Sequence, residues 1–220
     1  MGNKSVFWQA LIFTILIFGA GLVFGYYLES SRASNVELNL LGSEVNLLDE
    51  QMRARVVEES NLSCDLSKQS LFAFADKIYE EVLKLERYDS SAKFDRETLM
   101  ALHKRYDLLR TMLWFEGIKL RERCGGFHNV IYFFNYASDN VETRARQGFF
   151  SRLLEDVKKE SPNEILLIPI ASNLNLASVE IAMKSYNVDD APSILIDEKK
   201  IVEDIVTLDE IKGHIFSSSK

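Results

Sequence analysis

The chain has 220 residues, 47% of them hydrophobic, and its 33 acidic against 26 basic side chains give a formal net charge of −7. No block of clustered Lys and Arg is present, which argues against a nucleic-acid partner, because phosphate binding depends on such clusters. Three prolines and no low-complexity tract predict that nearly everything after the first apolar run folds.

That run extends from Val6 to Leu28 without a charged side chain, Gln9 and Thr14 being its most polar members. About 20 apolar residues suffice to cross a bilayer core as a helix, so residues 6–28 read as a transmembrane helix. Trp8 at one end and Tyr26 with Tyr27 at the other sit where amphipathic rings favour the interface. A secretory signal has a hydrophobic region of about 7–15 residues and a small-x-small cleavage site. Here the run is longer and ends in Gly25-Tyr26-Tyr27-Leu28-Glu29, so the segment reads as an uncleaved, single-pass anchor. Lys4 and the terminal amine precede it, while Glu29, Arg32 and Glu37 follow. This small bias puts residues 1–5 in the cytoplasm and the rest of the chain on the extracytoplasmic side of the cell membrane. Gly21 and Gly25 form a GxxxG spacing, a route to a homodimer through close approach of two spans.

Residues 29–126 read as a helical stalk and hairpin. Leu38, Leu41, Val45, Leu48 and Met52 alternate steps of three and four, one helical stripe that breaks at Arg55. It is short of the heptads a self-standing coiled coil needs, so it reads as a seam of a local bundle, with a short parallel dimer as the other reading. A second helix starts near Asp65, taken as its N-cap, and buries Leu71, Phe72, Ala75, Ile78, Tyr79, Val82 and Leu85. The turn lies in 87–93, around Ser90 and Ser91. A third helix runs from about Asp95 to Arg123 through Leu99, Leu102, Tyr106, Leu109, Leu113 and Leu120, with Met112 and Trp114 as core, and Gly125-Gly126 stops it.

Cys64 and Cys124 are the only cysteines. A zinc site needs three or four protein ligands, and His128 near Cys124 supplies too few, so no metal is predicted. A short turn favours an antiparallel hairpin, which brings the start of the second helix beside the end of the third and the two thiols together. An oxidising exterior makes them a disulfide, while a reducing cytoplasm leaves two free thiols. Asn61-Leu62-Ser63 is a glycosylation sequon, a triplet that also arises by chance.

From 127 to 220 the spacing changes to short apolar runs separated by amphipathic helices. Strands are predicted at Val130–Phe134, Ile165–Ile170, Ser193–Ile196 and Lys200–Val202, with helices at Val141–Glu160, Leu176–Tyr186 and Leu208–Ile215. Asp197-Glu198-Lys199 links the last two strands, and Pro169, which cannot donate to a ladder, belongs on an edge strand. The fold class is therefore α/β: a transmembrane helix, a helical hairpin or three-helix segment, then a β-α-β-α-β-β-α domain.

That order resembles the minimal core of the thioredoxin superfamily. The resemblance implies a cis proline at the start of the third strand, here Pro192 in Ala191-Pro192-Ser193. The layout of span, helical hairpin bracketed by Ser63-Cys64-Asp65 and Arg123-Cys124-Gly125, and Gln147-Gly148 in the next helix is similar to membrane-anchored thioredoxin-like proteins of archaeal type. In redox-active relatives a Cys-x-x-Cys opens that helix. Counting from Gln147 puts its positions at Val141 and Arg144, and counting from the strand puts them near Asp139 and Glu142. None is a cysteine, and the Ser138 hydroxyl nearby cannot form a mixed disulfide. The resemblance thus implies a redox-inactive, membrane-tethered module for protein or peptide binding or scaffolding, with a groove formed by Tyr136, Val141, Arg144, Ala191 and Pro192. No catalytic residue and no cofactor are predicted. The alternative is a thiol–disulfide oxidoreductase using Cys64 and Cys124, with Lys68, Arg121 and Arg123 nearby in sequence to lower a thiol pKa.

Overall fold

The computed structural model describes residues 3–60, 62–89 and 96–217. Asn61 of the sequon and the turn expected at Ser90 and Ser91 lie outside them. Two compact units are present, Met1–Arg53 and Ala54–Lys220.

The first unit holds the greater part of α1 (Asn3–Glu59). Its stretch Phe7–Leu28 is long and apolar enough to cross a membrane, and its side chains are exposed, Phe18 at 67% and Tyr26 at 79%. Of the stripe expected to form a seam, Val45, Leu48 and Met52 are 65%, 54% and 57% exposed, and the side chains of Leu38 and Leu41 lie outside those described. Helical spacing establishes that these side chains share a face, and it says nothing about what covers that face.

In the second unit, α2 (Cys64–Asp89) and α3 (Arg96–Cys124) pair as an antiparallel hairpin. Ser63, rather than Asp65, caps α2: its Oγ accepts from Leu66 N–H at 3.4 Å, and its carbonyl from Ser67 N–H. The hairpin core is Leu71, Phe74, Ile78, Val82 and Leu85 against Tyr106, Leu109 and Leu113, while Tyr79 turns out to solvent at 56% exposure. Gly125 and Gly126 end α3 with φ of +61° and +75°, the left-handed region that glycine enters without a Cβ clash.

The sheet has order β2-β1-β3-β4, from β1 (His128–Phe134), β2 (Ile165–Ala171), β3 (Ser193–Ile196) and β4 (Lys200–Val202). β1 runs parallel to β2 and antiparallel to β3, which is antiparallel to β4. The parallel pair is joined by α4 (Val141–Glu160), and α5 (Ala177–Ser185) and α6 (Leu208–Phe216) follow β2 and β4. One face buries Val130, Tyr132, Ile194 and Ile196 under Phe150, Leu154, Val157, Ile211 and Ile215 of α4 and α6. On the other side α3 packs on β1 and β2, and α5 against α3. Gly117 makes the approach of α3 close: a Cβ there would stand 2.8 Å from Asn129 Oδ1 and 2.9 Å from Leu166 Cδ2. This α/β arrangement is consistent with a thioredoxin-like domain.

β2 is an edge strand, as Pro169 requires. Some of its outward backbone groups are covered, and an open edge invites another chain. Pro169 has no N–H to offer, Ala171 N–H donates to Asp107 Oδ2 at 3.2 Å, and Ile165 C=O accepts from Lys158 Nζ at 2.7 Å.

Candidate functional site

Two places on this unit carry groups with chemistry, one at each end of α3. The first is the end of the sheet where β1 and β2 stop and β3 begins. The peptide bond Ala191–Pro192 is cis there, and both residues are buried. Ala191 N–H donates to Asp190 Oδ1 at 2.8 Å, and its carbonyl accepts from Asn135 Nδ2 at 3.3 Å. Asn135 is itself held: its N–H donates to Gln147 Oε1 at 2.9 Å, and Ser172 Oγ donates to its Oδ1 at 2.8 Å. Next to it, Tyr136 N–H donates to Asn173 Oδ1 at 2.7 Å, and Asn173 Nδ2 returns a bond to Tyr136 C=O at 2.8 Å. The Asn173 amide thus fills the second rung beyond the last β1–β2 pair, Phe134 with Ala171. The Tyr136 ring lies 4.1 Å from that of His103 on α3.

Val141 and Arg144 sit on the first turn of α4, whose N-cap Asn140 accepts from Thr143 N–H at 3.0 Å. Val141 is 71% exposed. Arg144 Nη1 donates to the carbonyls of Ser138 and Asp139, both at 2.9 Å, and so braces the loop before the helix. Tyr136, Ala191 and Pro192 are gathered through Asn135, while Val141 and Arg144 flank that loop. Asn135, Asn173 and His103 were not singled out as site residues by sequence reasoning, and Gln147 was noted only as a marker of the helix after β1. Each is an ordinary polar residue in sequence, and only the register of β1 against β2 and the path of α3 bring them to this end.

The second place is the other end of α3, where Cys64 and Cys124 form a disulfide with a Cα–Cα distance of 5.5 Å. Both cysteines are half-buried. One turn earlier, Arg121 pairs with Glu198 and, at 3.4 Å, with Asp197 in the β3–β4 turn. Asp197 and Glu198 both have positive φ, +51° and +58°, and Lys199 N–H closes the turn on Ile196 C=O at 3.0 Å. The loop between the paired Ile196 and Lys200 thus has three residues, two of them in the left-handed region without using glycine. Glu198 Oε1 also accepts from Trp114 Nε1 at 2.8 Å and Asn129 Nδ2 at 3.1 Å, and Asp197 bonds His128 Nδ1 at 2.7 Å. Burial pushes the Glu198 carboxyl above its ordinary range, and the Trp114, Arg121 and Asn129 contacts offset part of that. At the sheet end, burial likewise raises Asp107, against the pull of Arg110 at 3.0 Å.

Among the described residues, no group of three or more His, Cys, Asp or Glu is placed to hold a metal ion. No family model and no curated protein matches the chain. Among solved structures, the crystal structure of thioredoxin O2 from Arabidopsis thaliana in the oxidized state is similar to it, at 15% sequence identity and a TM-score of 0.32. The similarity covers 48% of this chain and 87% of that one.

Proposed function

We propose that this chain is a membrane-tethered, redox-inactive thioredoxin-like module that binds or scaffolds a protein or peptide on the extracytoplasmic side. The observation that carries the reading is where sulfur stands. The positions a Cys-x-x-Cys would take are Val141 and Arg144, or Asp139 and Glu142, and both cysteines are bonded to each other at the far end of α3. Apolar exposure over Phe7–Leu28 supports the tether.

The contact surface in this reading is Tyr136, Val141 and Arg144 beside Ala191 and Pro192. Because the Ala191 backbone already serves Asp190 and Asn135, recognition falls to the side chains, with Val141 the exposed apolar anchor. Binding of immobilised peptides by the full chain in detergent micelles tests this. Loss on Val141→Asp and on Tyr136→Ala, with far-UV circular dichroism unchanged, supports the surface, and binding that neither substitution alters removes it.

A second reading, an oxidoreductase working through Cys64 and Cys124, is favoured by one observation: both cysteines are half-buried rather than sealed in the core. A reduction potential below about −300 mV would mark the bond as an inert structural bridge and end that reading.

A further inference from the structure

The Cys64–Cys124 bond joins opposite ends of two helices. Cys64 is the first residue of α2, directly behind its cap Ser63, and Cys124 is the last residue of α3. Aligned peptide dipoles leave partial positive charge at a helix N-terminus, and unpaired carbonyls leave partial negative charge at a C-terminus. A thiolate is therefore favoured on Cys64 and disfavoured on Cys124.

The charged groups around the bond are divided between its two sides. Lys68 stands one turn after Cys64 and reaches across to Gly126, where an added Cβ would lie 2.5 Å from its Nζ. Arg123, next to Cys124, reaches the other way and donates to Ser67 Oγ at 2.8 Å. Lys68 thus reaches just past the end of α3, and Arg123 reaches onto α2. Asp65 beside Cys64 and Glu122 beside Cys124 are exposed, one carboxylate to each side. Arg121 is committed to Asp197 and Glu198, and Lys158 to the carbonyls of Pro162 and Ile165 and to the Phe72 ring. The helix ends decide.

We propose that this disulfide is chemically polarised, and that Cys124 is the position at which a small thiol becomes covalently attached to the chain. The attacking thiolate forms an S–S bond with Cys124 Sγ, the Cys64–Cys124 bond breaks, and its electron pair leaves on Cys64 Sγ. One thiolate is consumed and one is produced, with no outside oxidant or reductant. A lower leaving-group pKa speeds exchange, which selects Cys64 as the departing sulfur. The inference goes beyond the tethered-module reading and does not depend on it, since a monothiol stops at the mixed disulfide and no turnover is required.

The test uses the full chain in detergent micelles, treated briefly with N-acetylcysteine, quenched in acid, alkylated and mapped by peptide mass spectrometry. The expected result is the adduct on Cys124 with Cys64 alkylated, in about three- to tenfold excess over the reverse. An even split, an excess on Cys64, or no adduct on either sulfur overturns the proposal. A second measurement follows iodoacetamide alkylation against pH in Cys64→Ser and Cys124→Ser. Cys64 titrating below Cys124 supports it, and the same midpoint or the opposite order overturns it. If either variant fails to fold, the mapping on the native chain decides alone. Loss of this result leaves peptide binding at the other end of α3 untouched, so the two claims fail separately.

Discussion

The two ends of α3 hold the sheet by different physics. Around Cys124 the attachment is covalent and charged: the disulfide to α2, and Arg121 against Asp197 and Glu198 with Trp114, Asn129 and His128 filling the carboxylates' remaining positions. At the sheet end most contacts are neutral, with amide pairs from Asn135 and Asn173, a hydroxyl from Ser172 and a ring contact from His103, and the carboxylates are Asp190 and Asp107, the latter paired with Arg110 of its own helix. A neutral hydrogen bond contributes about 0.5–1.5 kcal/mol net, whereas breaking a buried ion pair costs about 3–5 kcal/mol. The Cys124 end is thus the more strongly anchored one, and the proposed contact surface lies at the other.

Removing the bond should show the largest difference. Cys64→Ser with Cys124→Ser takes out a cross-link across a sequence separation of 60 residues, worth roughly 4 kcal/mol in the chain-entropy model. Urea unfolding of the full chain in micelles measures it, and a loss under about 1 kcal/mol would mean the clasp is not an anchor. Arg121→Met comes next. It strands the Asp197 and Glu198 carboxylates, at a cost of about 3 kcal/mol. Adding Glu198→Gln should recover part of that loss, and two fully additive losses would deny the coupling.

Asn173→Ala at the other end should cost about 1 kcal/mol or less, because its two bonds to Tyr136 are neutral and solvent-exposed. Its clearer sign is faster hydrogen exchange at the Tyr136 amide. If this substitution destabilises as much as Arg121→Met, the contrast between the ends is wrong.

The smallest effect is in pH dependence. Burial raises the carboxyl pKa of Asp107 and Glu198, so the native state keeps protons that the unfolded chain has released. Their stabilisation is present below the unfolded value near pH 4, and is lost as pH rises through the folded values. Glu198→Gln should flatten the fall in stability from mildly acid to neutral pH. An unchanged slope would mean that Glu198 stays ionised throughout.

The order of elements from β1 onward was legible because local chemistry marks each one. Apolar runs give β1 to β3, and Gly125-Gly126 ends α3. Pro169 even indicated which strand lies at an edge. The hairpin clasp was readable too, since antiparallel helices determine which of their ends meet. What the sequence did not reveal depends on tertiary placement. Nothing local distinguishes buried Phe74 from Tyr79 one or two turns on, and nothing in 38–52 shows that Val45, Leu48 and Met52 face solvent. The self-bonding of the sheet end was equally hidden. Asn173 meets Tyr136 only through the register that sets Ala171 opposite Phe134.

In the proposed reading this domain carries no dithiol catalysis, and its sulfur is confined to a clasp away from the proposed contact surface. The most direct measurement is oxidation of a dithiol peptide by the full chain in micelles under oxidising conditions, compared with Cys64→Ser/Cys124→Ser. The account predicts no repeated turnover above background in either protein, the native chain giving at most one equivalent of exchange. Multiple turnovers by the native chain that vanish in the double variant would contradict it.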